Sequence, residues 1–334
     1  MKFGPVPLAE AEGALLAHSV KVGKRKLKKG QRLGPDEVQA LHDEGLDEII
    51  VARLDPGDLD ENAAARRLAE ALVPDPAAAH LKITEPFTGR VNLIAEGPGV
   101  LEVSADAIHA ANRVHPMITV ATLEPWQQMA AGQMAATIKI ISYAVPGADV
   151  ETVAEAARAS LKLRVPVMKT AGLIVTDIPG GPKNDKGIRA VEARVEALGM
   201  DLTDTRIVRH RTDEISGALE ALDVDLALIL TGSATSDPQD VAPEAVRQAG
   251  GTVERFGMPV DPGNLLFLGD LKGRPVIGLP GCARSPALNG ADWVLSRVAC
   301  GVAVTGADIA AMGVGGLLKE IPTRPQPRSG RTPE

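Results

Sequence analysis

"VDLALILTGSATSDPQDVAPEAVRQAGG" (224–251) decides the fold. Its first part is apolar without alternation, as in a strand buried on both faces of a sheet. A ten-residue loop of small hydroxyl residues follows, "TGSATSDPQD" (231–240). "APEAVRQAGG" (242–251) then reads as a short helix. The same grammar surrounds it. "AGLIVTD" (171–177) is a strand, and "NDKGIRAVEARVEALG" (184–199) is a helix closed by Gly199. "DTRIVRH" (204–210) is a strand, and "TDEISGALEALD" (212–223) is a helix expected to be capped by Thr212. "RPVIGLPG" (274–281) is another buried strand. "SPALNGADWVLSRVACG" (285–301) is a helix expected to take Ser285 as N-cap and Pro286 as its first residue. Strands alternating with helices imply α/β architecture with a mostly parallel sheet covered on both faces.

In such folds ligands sit beyond the carboxyl ends of the strands. Here those ends are "TDIPGG", "TGSATSDPQD" and "PGCARSP". The first supplies Thr176 and Asp177. In the second, Thr231, Gly232, Ser233, Thr235 and Ser236 can hydrogen-bond a polar heterocycle or a phosphate. Asp237 and Asp240 can accept from ring N–H groups or hold a divalent ion, and Asp240 also suits the N-cap of the following helix. The third offers Pro280, Gly281, Arg284 and Ser285 at an expected helix start, where unpaired N–H groups favour an anion and Arg284 adds a forked cation. Together the loops imply one pocket for a polar, phosphate-bearing ligand. The chain has no G-x-x-x-x-G-K-[ST] loop and no metal-ligand spacing of His and Cys. Ser233, His210 and Asp237 could compose a triad, but the G-x-S-x-G elbow is missing.

The rest of the 334 residues divides by pattern. Residues 1–75 read as a small α+β region, with helices in "GPDEVQALHDEG" (34–45) and "DLDENAAARRLAEALVP" (58–74) and a strand in "DEIIVARL" (47–54). "DPAAAH" (75–80) reads as a connector. Residues 76–165 are strand-rich, with "MITVATLEP" and "MAATIKIISYAV", a helix in "SADAIHAANRV", and "GADVETVAEAARASLKL" as a bridging helix. The α/β domain is expected over 166–318, and 319–334, rich in Pro and Arg, is expected to be disordered. "KVGKRKLKKGQR" (21–32) reads as a basic, solvated hairpin; a docking surface for an acidic partner is its sharper reading.

Composition narrows the function. Aromatics are 2% and the net charge is −7, which disfavours a nucleic-acid partner. Cys282 and Cys300 cannot build a disulfide framework and suit a reducing compartment. With no signal-peptide core and no membrane-length apolar run, a soluble cytoplasmic protein is expected.

"TGSATSD", then "GMPVDPGNLLFLGDLKGRPVIGLPGCARSP", resembles the molybdopterin-binding domain of molybdenum-cofactor biosynthesis proteins. The group is the molybdopterin molybdotransferase-like (MoeA-like) family. Gly278, Leu279, Pro280, Gly281 and Ser285 match its Gly-Leu-Pro-Gly-Asn-Pro-x-Ser stretch; Gly232 and Asp237 match its Gly-Gly-Val-Ser-x-Gly-Asp loop. "LIVTDIPGG" resembles its opening strand and turn, with Thr176 in place. The chain departs from the family at Thr231, Ala234, Cys282, Ala283 and Arg284. Overall it resembles a divergent subgroup associated with cofactor maturation for xanthine-dehydrogenase-type enzymes.

The resemblance implies a three-layer α/β/α domain that binds molybdopterin or its nucleotide. It implies molybdate as co-substrate, with Mg as a candidate ion and Asp237 and Asp240 as candidate catalytic groups. A non-catalytic carrier is the alternative, delivering to a cytidylyltransferase or a molybdoenzyme partner. A nucleotide hydrolase on the same fold is a third reading. Relatives also suggest a homodimer.

Overall fold

A computed structural model describes residues 1–318, so the expected tail at 319–334 lies outside the described residues. The chain forms two compact units. The first comprises residues 1–96, 101–125 and 131–163. In it, Glu48–Arg53 is flanked by Lys2–Pro7 and Leu15–Leu16, both antiparallel. Strands Val20–Val22 and Arg25–Leu27 make the hairpin read from the basic stretch. A four-stranded sheet contains Leu81–Ile83, Arg90–Ala95, Ile118–Thr122 and Met134–Ile140. Helix Glu61–Leu72 starts at Asp60, whose carboxylate accepts from the N–H groups of Asn62 and Ala63. Two expectations change here. "DPAAAH" holds a one-turn helix, Pro76–Ala79, capped by Asp75. The bridging helix stops at Ala156, and Leu161–Arg164 is a strand, because alternating apolar residues 161 and 163 bury on one side.

The second unit comprises residues 97–100, 126–130 and 164 onward. Its sheet is built from β1 (Thr170–Asp177), β2 (Asp201–Arg209), β3 (Leu226–Leu230), β4 (Thr252–Phe256), β5 (Phe267–Leu271) and β6 (Arg274–Leu279). The order is β2-β1-β3-β6-β5-β4. The first four run parallel, and β5 is antiparallel to both neighbours. Helices α1 (Asn184–Glu196), α2 (Thr212–Glu220), α3 (Val241–Gln248), α4 (Gly290–Ala299) and α5 (Gly306–Ala311) complete the unit.

Alternation along the strands produces the three layers. Leu173, Leu228 and Ile277 point to one face and pack with Val191 and Val195 of α1 and Val294 and Leu295 of α4. Ile174, Ile229 and Val276 point to the other and pack with Ile215 and Leu219 of α2 and Ala245 and Val246 of α3. Both faces are dry, which is why these strands read as unbroken apolar runs. Gly278 in "VIGLPG" is opposite Phe267 on β5. A Cβ at 278 would stand 1.9 Å from a carbon of the Phe267 ring, so the ring occupies the volume a side chain would need.

Strands β4 and β5 escape the sequence reading. The β5–β6 hairpin turns on Lys272-Gly273, both with positive φ, without the Asn-Gly or Asp-Gly signature of such turns. Two cap assignments are also corrected. Thr212 lies inside α2, and the cap position is Arg211, which makes no side-chain cap. The "SPALNG" helix begins at Gly290, with Asn289 as N-cap in place of Ser285, and Pro286 lies outside it. Asn289 Oδ1 accepts from Ala291 N–H at 3.0 Å, and Asp292 Oδ2 accepts from Asn289 N–H at 2.7 Å. That reciprocal box satisfies two helix-start donors, which Ser-Pro could not do. Among the described residues, no helix is long and apolar enough to cross a membrane.

Candidate functional site

The carboxyl ends of β1, β2 and β3 meet through one buried hydroxyl. Thr176, fully buried at the end of β1, accepts from Gly232 N–H at 2.7 Å and lies 2.9 Å from His210 Nδ1. The hydroxyl thus bridges the Gly232 backbone and the His210 ring. His210 is tied again through its own N–H, which donates to Asp177 O at 3.2 Å. His210 therefore belongs to the site as the partner of Thr176, whereas sequence reading considered it only for a serine triad. Asp237 accepts from Gln239 N–H at 2.7 Å, and His210 Nδ1 faces Thr176.

The loop after β3 folds on itself. Thr231 is buried and donates to Ser233 O at 2.5 Å; Thr235, also buried, lies 3.4 Å from it, hydroxyl to hydroxyl. Ser233, Ser236 and Asp237 are exposed. Asp240 is occupied as the cap of α3: Oδ1 accepts from Val241 N–H at 2.7 Å and Oδ2 from Ser236 N–H at 3.0 Å. Its capping function is thus the one the fold uses. Asp177 is exposed and accepts from Asn184 Nδ2 at 3.2 Å.

After β6, Pro280 is buried and Gly281–Arg284 makes a single 3-10 turn. Arg284 folds back toward β3. Its Nη2 donates to Thr231 O at 3.0 Å. Its Nη1 is buried without an acceptor, beside Gly187 of α1. A Cβ at Gly187 would come within 2.9 Å of Nη1, so glycine there makes room for the guanidinium. Burial pushes the Arg284 pKa down. The expected helix start at this loop is replaced by the 3-10 turn, and the half-buried cation is held between Thr231 and α1. Ser285 Oγ accepts from Ala287 N–H at 3.3 Å.

Arg194 organises this loop and was not singled out from sequence. Nε donates to Asp292 Oδ1 at 2.6 Å. Nη1 donates to Ala190 O and Ala283 O, both at 2.9 Å; Nη2 donates to Ser285 O at 2.7 Å and Ala287 O at 3.0 Å. All its N–H groups are satisfied, which is the condition under which a buried charge is tolerated. The Asn-x-x-Asp box was legible as a signal; the arginine that reads it was not.

A cavity of about 260 Å³ lies beside this loop, lined by Ala190, Arg194, Pro286, Leu288 and Leu295 among others. Another, about 340 Å³, lies at the opposite sheet end near Val224, Lys272 and Arg274. Among the described residues, no group of three or more His, Cys, Asp and Glu is placed to hold a metal ion.

Fold and loops define a doubly wound α/β domain with its polar groups at the strand ends. Residues 174–298, within the second unit, match the family described as "Probable molybdopterin binding domain". Residues 5–53 match a family described only as a domain of unknown function. No curated protein matches the chain. Among solved structures, the molybdopterin biosynthesis moea protein of Pyrococcus horikosii is similar at 14% identity and TM-score 0.33, over 90% of this chain and 75% of that one. A molybdopterin biosynthesis protein of Mycobacterium abscessus is similar at 18% identity and TM-score 0.29, over 41% of this chain and 94% of that one. A molybdenum cofactor biosynthesis protein of Pyrococcus furiosus is similar at 13% identity and TM-score 0.24, over 93% of this chain and 65% of that one.

Proposed function

We propose that this chain acts in molybdenum cofactor biosynthesis and that its second unit binds molybdopterin, or its nucleotide, across the loops after β1, β3 and β6. The observation that carries the reading is Arg284. Its guanidinium is held by Thr231 O, has one buried donor without an acceptor, and is lowered in pKa by burial alone. A cation kept in a partly dry place without a paired carboxylate draws an anion to the loops it underlies. The ligand phosphate supplies that charge. The exposed hydroxyls of Ser233 and Ser236 and the carboxylates of Asp177 and Asp237 are available to the pterin edge. Thr176 and His210 position the Gly232 backbone beneath them, and Asp240 positions the loop through its two backbone bonds.

The carrier reading has one specific support. Asp240 spends both oxygens on backbone N–H groups, leaving Asp237 as the exposed carboxylate of that loop. A chain of this kind holds and delivers the pterin to a maturation or molybdoenzyme partner. Molybdate insertion, with Asp237 and a divalent ion screening phosphate and oxyanion, is the enzymatic form of the same binding. Incubation with adenylylated molybdopterin, molybdate and Mg separates them: binding without AMP release supports the carrier, and AMP release supports insertion. Turnover of a pyridine nucleotide with no pterin binding would replace both with a hydrolase.

A further inference from the structure

In the first unit, the four-stranded sheet packs one face against helices Glu61–Leu72 and Ala105–Val114. Val91, Leu93, Ile118, Val120, Ile138 and Ile140 are buried on that side. Alternation along the strands turns Lys82, Arg90 and Lys139 to the other face. The four strands hold these three cations and no acidic residue. Arg90 and Lys139 are register partners, so like charges stand directly opposite, at a cost to the sheet.

At one end of this face three large apolar side chains are exposed: Phe87 by 77%, Ile141 by 58% and Met117 by 39%. Ile141 N–H donates to Met117 O at 2.9 Å, which continues the register of Ile140 with Ile118 and turns both side chains away from the helices. Phe87 and Arg90 exchange backbone hydrogen bonds of 3.0 and 3.1 Å around Thr88-Gly89, so Phe87 shares the face of Arg90. The turn that presents it is firmly held. Thr88 and Gly89 have φ of 49° and 69°, and a β-branched residue is a rare choice there. Gly89 N–H donates to Asn62 Oδ1 at 2.9 Å, Ile140 N–H donates to Gly89 O at 2.8 Å, and Lys139 Nζ donates to Thr88 O. An aromatic ring on such a tip has little freedom left to lose on contact.

An exposed apolar cluster beside charges of one sign fits a partner of the opposite sign. A second copy of the same face would bring cation against cation. Lys82, the register partner of Ile94, stands four residues along the strand direction from Arg90, about 13 Å at about 3.3 Å per residue. An extended chain lying on the face reaches both cations and the apolar end together. We propose that this face docks an acidic segment of a partner protein, with apolar side chains against Phe87, Met117 and Ile141 and carboxylates on Lys82, Arg90 and Lys139. The surface belongs to the first unit alone, so its test does not depend on molybdopterin binding.

The probe is a fluorescein-labelled peptide of alternating glutamate and leucine, titrated with the full chain and read by anisotropy. Saturable binding at low salt is expected, weakening as salt is added, and a lysine-for-glutamate peptide is expected not to bind. Phe87→Ser/Ile141→Ser and Lys82→Glu/Arg90→Glu are each expected to weaken binding about tenfold or more. Lys21→Glu/Lys26→Glu, on the basic hairpin, is expected to leave it within about twofold. Circular dichroism checks that each variant is folded. No binding of the acidic peptide, unchanged binding in the first two variants, or a loss confined to the hairpin variant would overturn the proposal. So would phosphatidylserine vesicles that bind the chain but not Phe87→Ser/Ile141→Ser, which would assign the face to a lipid surface. A dimer in light scattering that the same variant abolishes would assign it to a second copy and overturn it as well.

Discussion

Replacing Arg194 with methionine tests how the third loop is built. The substitution keeps most of the side-chain volume and removes every donor. The carbonyls of Ala190, Ala283, Ser285 and Ala287 lose their guanidinium partner, and Asp292, whose side chain is 11% exposed, loses its counter-ion. Asp292 keeps one bond, from Asn289 N–H. Breaking one side of a buried, hydrogen-bonded pair costs about 3–5 kcal/mol, mostly as the uncompensated charge left behind. Both tryptophans of the chain, Trp126 and Trp293, belong to the second unit, so fluorescence during urea unfolding reports on it. With a slope of about 2 kcal/mol/M, the midpoint should fall by roughly 1.5–2.5 M without a change in slope. Arg194→Met/Asp292→Asn should recover part of the loss, since the buried charge goes with its partner. A fall of less than about 0.5 M, near 1 kcal/mol on the same slope, would show that the loop does not depend on this arginine.

Further outcomes are expected elsewhere in the unit. Thr176→Val should destabilise by about 1–3 kcal/mol, because Gly232 N–H and His210 Nδ1 lose a shared partner, while Thr176→Ser should retain most of the stability; denaturant titration checks both. Cys300 is buried and its thiol is pushed up to about 11, so iodoacetamide near pH 8 should label the half-exposed Cys282 alone in the native protein, and a second adduct by mass spectrometry would contradict the packing of α4. Backbone N–H groups of Lys169 and Thr170 hold the Asp225 carboxyl below its ordinary range. Its contribution is present above the unfolded value near pH 4 and is lost as pH falls through the lower folded value. Asp225→Asn should therefore flatten the acid limb of the stability curve, and an unchanged limb would assign acid unfolding to other groups.

The layers were legible because β1, β3 and β6 are buried on both faces and carry apolar residues at consecutive positions. The hairpin of β5 was not, since a Lys-Gly turn lacks the usual signature and Gly269 dilutes the strand pattern of β5. At the site, Thr176 and Gly232 could be named from their positions at strand ends. The helix after β6 was placed too early because Ser285-Pro286 matches a helix start locally, and the Asn289–Asp292 box that wins is completed by Arg194 from another helix. In "EARVEALG", Arg194 looks like any arginine on a solvated helix face. His210 was visible as a titratable residue, but its partner, Thr176, comes from a strand 34 residues away.

The role proposed for Arg284 is to give these loops their affinity for an anionic ligand. Its most direct test is calorimetric titration of the full chain and of Arg284→Ala with molybdopterin at low salt. The unsubstituted chain is expected to bind, and the variant to lose about 1–3 kcal/mol, roughly 5- to 150-fold, the scale of a charge-assisted hydrogen bond. Equal affinity of the two proteins would contradict it.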